Sequence, residues 1–301
     1  MSSIARLKVI KGIFKNAGYI TTLVDQLISN KQSGETSESK PSLEYKQVPI
    51  SLGPAATVMM PPNVVNPDGS VDVIINFKGG NSPAVAATTG RKAVMVSIYE
   101  PEGGKYKFGN YSQYNHNFVN KAVDTIVSSL QKANPNKIIK RGKLTITGWS
   151  AGGSALKQVL VNEDKVKGGV DEVFFSDALH SGLGDALDPG LAGVLAYAQK
   201  AATDPSKRLV LLSTGVVPGN SKGQQYASTY DTGRRIAEQV GATETQDNNI
   251  YAGGHPAAIS QTGGFKWIQL FPPGTKDVQQ MKQQHGIAHN WGFNNLSEIL
   301  G

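Results

Sequence analysis

The sequence predicts an α/β fold built on a mostly parallel, eight-stranded sheet with helices on both faces. From about Leu43 onward, short runs of β-branched and apolar residues alternate with longer stretches of helical period. Several runs after residue 71, such as "VDVIINF" and "RLVLLST", are apolar nearly throughout rather than at alternate positions. Strands covered by helices on both faces have that pattern. The runs "EYKQVPIS", "ATVMMPP" and "VDVIINF" follow one another closely across "GP" and "NPDGS", as antiparallel neighbours do. The expected architecture is therefore an antiparallel edge leading into a parallel βα series.

The elements follow in order. Residues 4–29 predict an amphipathic helix: Leu7, Ile10, Phe14, Ala17, Val24 and Ile28 share one stripe, and Lys8, Lys11 and Lys15 lie together on another. The stretch 30–41, "NKQSGETSESKP", has no large apolar residue and predicts a linker. Residues 1–42 are thus expected to form an appendage to a domain spanning 43–301, docking on that domain, on a partner or on a membrane surface. After the first three strands come "KAVMVSIY", "KLTITGW", "EVFFSDAL", "RLVLLST" and "FKWIQLF". Helices are expected at about 115–133, 151–162, 188–202, 228–240 and 294–300.

Composition narrows the function. There is no cysteine, which excludes disulfides, thiolate metal sites and cysteine nucleophiles. The net charge of +7 is spread along the chain without interleaved aromatics, so no nucleic-acid partner is expected. No apolar run approaches the roughly 20 residues needed to cross a bilayer, and the first 30 residues lack a signal-peptide pattern. The default location is the cytoplasm. His285 and His289 are four apart but have no glutamate between them, and the other histidines are scattered, so no metal is expected. "FKGGNS" lacks a dinucleotide fingerprint, so no cofactor is expected either.

The stretch "KLTITGWSAGGSAL" carries the chemistry. It reads as a strand, a sharp turn and a helix, with Ser150 on the turn and Gly148 and Gly152 two residues to either side. A serine hydroxyl is a weak nucleophile unless a base takes its proton. A strand-to-helix turn projects it from the carboxyl end of a sheet and aims a helix N-terminus at the same place. The small residues relieve crowding, and the N–H of Ala151 points toward a developing oxyanion.

On Gly148-Trp149-Ser150-Ala151-Gly152 and the strand order, residues 43–301 resemble the α/β-hydrolase family. "KLTITGW" is the fifth strand, where that family carries its nucleophile. The resemblance implies a second oxyanion donor after the third strand, at Phe77-Lys78-Gly79-Gly80, with a main-chain N–H of Lys78 or Gly79 as the group. Lys78 stands where the family often has histidine. The resemblance also implies an acid after the sixth or seventh strand. Asp177 closes the sixth, and no carboxylate follows the seventh before Asp231. The base is expected after the eighth strand, in "QQHGIAHNWGF", with His289 preferred and His285 as the alternative.

The expected function is a serine carboxylic ester hydrolase acting through an acyl-enzyme, with Ser150, His289 and Asp177 as its triad. Trp149 and His180 are expected to contact substrate, and Tyr99, Tyr106, Tyr111 and Tyr114 are candidates to line a cleft. A small or polymer-linked ester is favoured, including a polysaccharide or cell-envelope ester. An amidase or peptidase with the same triad and a non-catalytic binding protein are the alternatives.

Overall fold

A computed structural model describes residues 43–100, 111–182, 189–216, 226–252, 255–270 and 278–300. The expected helix over 4–29, the linker and Tyr106 lie outside these residues. All eight expected strands are present, as β1 (Lys46–Val48), β2 (Ala56–Met60), β3 (Ser70–Phe77), β4 (Val94–Ile98), β5 (Lys140–Trp149), β6 (Glu172–Ser176), β8 (Arg208–Ser213) and β12 (Phe265–Gln269). The chain has an α/β-hydrolase fold, with an antiparallel edge, a parallel series and the serine turn after β5.

The sheet is larger than expected. It has ten strands in the order β1-β2-β4-β3-β5-β6-β8-β12-β11-β10, because β10 (Thr243–Ala252) and β11 (His255–Thr262) add an antiparallel hairpin beyond β12. These strands contain "TETQDNN" and "HPAAISQT", whose polarity hides them from a search for apolar runs. β2 runs antiparallel to β1 and β4, while β4, β3, β5, β6, β8 and β12 are mutually parallel. Two further strands, β7 (Ser181–Gly182) and β9 (Tyr226–Ala227), form a short separate ribbon.

The helices are α1 (Pro83–Thr88), α2 (His116–Ala133), α3 (Gly153–Leu160), α4 (Pro189–Thr203), α5 (Thr229–Gln239), α6 (Val278–Asn294) and α7 (Leu296–Leu300). Caps mark several starts: the Asn115, Ser82 and Ser228 side chains accept from the N–H groups of Asn117, Val85 and Asp231. Helix α6 is a correction, since the segment with both late histidines was expected to be a loop ahead of a short helix. Its weak amphipathic pattern explains the miss. Glycines and histidines interrupt "HGIAHNWGF", yet Ala288 and Gly292 let the helix lie close on the sheet. A Cβ on Gly292 would fall 2.7 Å from Cζ of Phe174.

Apolar side chains fill both faces of the sheet. One face holds Val73, Ile75, Leu144, Ile146, Val173 and Phe175 beneath α2, α3 and α4. The other holds Phe174, Val210, Leu212 and Ile268 beneath α6 and α7. Tyr111 and Tyr114, candidates for a cleft, are buried instead: Tyr114 packs on Phe77 and Phe118, and Tyr111 packs on Tyr114. Their bulk and their place before α2 put them in the core.

A buried ion pair ties the amino ends of the strands. Glu172 opens β6 and is paired with Arg91 through both guanidinium nitrogens, with Lys143 Nζ at 3.2 Å and with Thr145 Oγ1 at 2.7 Å. Its side chain is 2% exposed. Burial pushes its carboxyl up, but Arg91, Thr145 and Lys143 hold it below the usual range. Removing one member of a buried pair strands the other without a partner. Glu172→Ala is expected to cost about 3–5 kcal/mol in urea unfolding, and a loss under 1 kcal/mol contradicts this assignment.

Candidate active site

Sheet register brings the candidate groups together. Phe77 pairs with Gly148, and Trp149 pairs with Ser176. β3, β5 and β6 therefore end nearly in step. Their next residues, Lys78, Ser150 and Asp177, emerge at one edge. Each has a left-handed φ, at 63°, 54° and 44°. Among the described residues only one other non-glycine, Asn63, does so. Such backbone is costly for residues with a Cβ, and it persists where surrounding structure enforces it.

The glycines around Ser150 allow that enforcement. A Cβ on Gly148 would lie 3.0 Å from the Gly152 carbonyl, so these two glycines face each other across the turn. A Cβ on Gly152 would collide with the Phe77 carbonyl at 2.1 Å, and one on Gly153 with the Ala178 carbonyl at 1.9 Å. The turn is thus wedged between the ends of β3 and β6. A single 3₁₀ turn, Ser150–Gly152, leads into α3. The Ala151 N–H lies at this helical start, where main-chain donors lack intrahelical partners.

Asp177 is fully buried and densely bonded. Oδ2 accepts from Thr214 Oγ1 at 2.8 Å and lies 2.6 Å from His285 Nδ1. Oδ1 accepts from the Thr214 N–H at 3.2 Å and from the Thr229 hydroxyl. Its own N–H donates to the Leu212 carbonyl at 2.8 Å. Burial pushes the carboxyl up, but the His285 hydrogen bond, the charges of His285 and His180, and the Thr229 hydroxyl outweigh it. The result is a value of about 2.

Sequence reasoning missed the two threonines. Thr214 follows "RLVLLS" and Thr229 opens α5. Ser213 Oγ in turn donates to the Thr229 carbonyl at 2.9 Å and accepts from Trp267 Nε1 at 3.0 Å. The run "LLST" closes the seventh expected strand without marking either threonine as a partner of the acid. Its hydroxyls stand where a carboxylate was sought.

The histidine preference is corrected. His285, not His289, meets Asp177. Both sit on α6, one turn apart and on one side. The neighbouring stripe, Gln284, Ala288 and Gly292, is buried. Ser176 Oγ donates to the Ala288 carbonyl at 3.2 Å and pins the helix to the end of β6. His285 then falls over Asp177, while His289 Nδ1 lies 3.1 Å from Asn290 Oδ1. Distance along the helix, invisible in residue spacing alone, separates the two roles.

Trp149 lies beneath both rings. Its ring centroid is 4.9 Å from that of His285, stacked, and 4.5 Å from that of His289, tilted. Lys78 Nζ sits 5.6 Å from the same indole. Trp149 thus joins the serine turn to α6. His180 lies near Asp177, its Nδ1 is buried and its carbonyl accepts from Lys157 Nζ at 3.2 Å. Burial lowers its pKa, against the pull of Asp177, and favours the neutral ring.

The oxyanion expectation narrows. The Lys78 N–H donates to the Ile98 carbonyl at 2.9 Å as an extension of the sheet ladder. It is therefore committed and cannot serve a substrate. Gly79 follows the left-handed turn, and its N–H makes no main-chain hydrogen bond among the described residues. Among the described residues no cluster of three or more potential ligands could hold a metal ion, and no helix is long and apolar enough to cross a membrane.

No protein-family model matches the chain, and no curated protein does. Among solved structures it is similar to a thermostable esterase at 10% identity, over 85% of this chain and 61% of that one, with a TM-score of 0.42. It is similar to esterase B of Lactobacillus Rhamnosis (HN001) at 10% identity, over 95% and 100% of the two chains, with a TM-score of 0.38. An ester-hydrolase from the metagenome of Lake Arreo, complexed with a bipyridine phosphonate derivative, gives 13% identity, 97% and 98% coverage, and a TM-score of 0.38.

The Asp177 value has a consequence for acid stability. A carboxyl held at about 2, against an ordinary 3.8, contributes stability above pH 4 that is lost as pH falls through the folded value. Asp177→Asn is expected to flatten the fall in unfolding free energy between about pH 4 and pH 2. An unchanged slope contradicts the assignment.

Proposed function

We propose that the chain is a serine hydrolase of carboxylic esters, with Ser150 as nucleophile, His285 as base and Asp177 as acid. The observation that carries this reading is the 2.6 Å contact between buried Asp177 and His285 Nδ1, on a helix seated over the Ser150 turn. Asp177 accepts the Nδ1 proton, which fixes the tautomer and leaves Nε2 free to act as base. Thr214 and Thr229 satisfy the carboxylate's other lone pairs and hold it in place.

In the proposed reaction, His285 Nε2 takes the hydroxyl proton as Ser150 Oγ attacks the ester carbonyl. The main-chain N–H groups of Ala151 and Gly79 stabilise the tetrahedral oxyanion. Its collapse breaks the C–O bond to the alcohol, which leaves with the proton from His285. Water, deprotonated by the same nitrogen, then attacks the acyl-Ser150 ester and releases the acid and the free serine.

The test uses a fluorophosphonate probe together with nitrophenyl esters and acetylated glycans. Wild-type protein is expected to be labelled at Ser150 and to hydrolyse at least one ester. Ser150→Ala is expected to abolish labelling, and His285→Ala to lower kcat/KM by about 10⁴-fold or more. Hydrolysis that survives in Ser150→Ala overturns the reading, as does failure of the wild type to be labelled.

A further inference from the structure

Strands covered on both faces are expected to be apolar. Yet β3, β4 and β5 each place a polar side chain in one layer near their carboxyl ends: Asn76, Ser97 and Thr147. Asn76 pairs with Ser97 on one side and with Thr147 on the other, so the three form a row across the sheet. All three are fully buried. We propose that this row positions the oxyanion loop, Lys78 to Gly80: the Ser97 hydroxyl holds the Gly80 carbonyl and so helps to aim the Gly79 N–H. This inference rests on the function proposed above.

The loop folds back onto the row. Its Gly80 carbonyl accepts from the Ser97 hydroxyl. A Cβ on Gly79 would fall 2.2 Å from Asn76 Nδ2 and 2.3 Å from its Oδ1, so the Asn76 amide occupies the place of a side chain at 79. That amide is itself oriented, because the Thr147 hydroxyl donates to Oδ1 at 2.9 Å. Nδ2 is buried and makes no hydrogen bond among the described residues. Thr147 therefore sets the rotation of the amide, and the amide sets how closely Gly79 can approach the sheet.

The loop needs such contacts. Two successive glycines leave it few steric limits on φ and ψ. Lys78 and Gly80 both have left-handed φ, at 63° and 83°, and for Lys78 that backbone persists only where its surroundings enforce it. On one side of the Gly79 N–H, the Lys78 N–H is tied to the Ile98 carbonyl at 2.9 Å. On the other side, the Gly80 carbonyl is tied to Ser97. Ser97 and Ile98 are consecutive residues of β4, so one strand grips the loop at both ends. Each peptide unit is rigid. Two fixed units, with the Asn76 amide against Gly79, leave the Lys78–Gly79 unit between them little freedom. The N–H of that unit is the proposed oxyanion donor. A donor already aimed costs no reorganisation as charge develops on the substrate oxygen.

The experiment compares Ser97→Ala, which lacks the hydroxyl, with Ser97→Cys, which fills the same space but donates weakly. Each is assayed on the best nitrophenyl ester and with a trifluoromethyl ketone, which forms a reversible oxyanion adduct on the nucleophile. Ser97→Ala is expected to lower kcat about 10-fold, less than the roughly 10²- to 10³-fold lost with a direct oxyanion donor. KM is expected to stay within about twofold, because the oxyanion contact forms only in the transition state. The ketone's inhibition constant is expected to rise by a factor similar to the loss in kcat, and Ser97→Cys to stay as impaired as Ser97→Ala. Thr147→Val, which keeps the shape but releases the Asn76 amide, is expected to give a smaller, several-fold loss of the same kind. An unchanged kcat in Ser97→Ala or a loss confined to KM overturns the proposal. So does recovery in Ser97→Cys, which would make packing the cause. Should Ser97→Ala fail to fold, an unchanged kcat in Thr147→Val overturns it. A wild type with no hydrolysis and no Ser150 labelling overturns the parent function and this role with it, whereas an active wild type with an unimpaired Ser97→Ala overturns this role alone.

Discussion

The contact between Asp177 and His285 is the constraint on which the site depends. A carboxylate removed from water survives only if every lone pair is met. Here Thr214, Thr229 and His285 meet them. Each comes from a different part of the chain: the end of β8, the start of α5 and the second turn of α6. One buried charge therefore gathers three elements at the edge of the sheet. It also dictates which nitrogen of His285 is protonated, and so where its lone pair points.

Backbone strain and close packing complete the arrangement. Lys78, Ser150 and Asp177 hold left-handed φ at the ends of three adjacent strands. Gly152 and Gly153 touch the carbonyls of Phe77 and Ala178, so the serine turn is clamped by the two neighbouring strand ends. Each strained residue is thus held by the next strand over. Trp149 extends the clamp to α6 by stacking beneath both histidines.

Much of this was legible in the chain. All eight expected strands formed, because β-branched apolar runs bounded by turns leave few alternatives. Hairpin β10–β11 escaped because its polar residues gave no hydrophobic period. Helix α6 escaped because its buried stripe contains Gln284 and Gly292, which do not register as apolar. At the site, Ser150 and Asp177 could be located because each ends a recognisable strand. Thr214 and Thr229 could not, since a hydroxyl that supports a buried carboxylate looks like any other in sequence. Lys78 was set beside Gly79 as an oxyanion donor, and only the ladder to Ile98 shows that its N–H is already engaged.

The sequence by itself determined the α/β order of elements, the turn that carries Ser150 and the strand that ends in Asp177. These follow from local pattern: period, turn chemistry and small residues at fixed offsets. Only the tertiary structure brings His285, and not His289, onto Asp177. The two histidines share a helix and a face, and residue spacing is the same whichever is nearer the acid. The Ser176 hydrogen bond to Ala288 and the seat of Gly292 on Phe174 fix how far α6 lies along the sheet. That placement, a matter of packing between residues more than 100 positions apart, puts His285 over the buried carboxylate and His289 against Trp149 and Phe293.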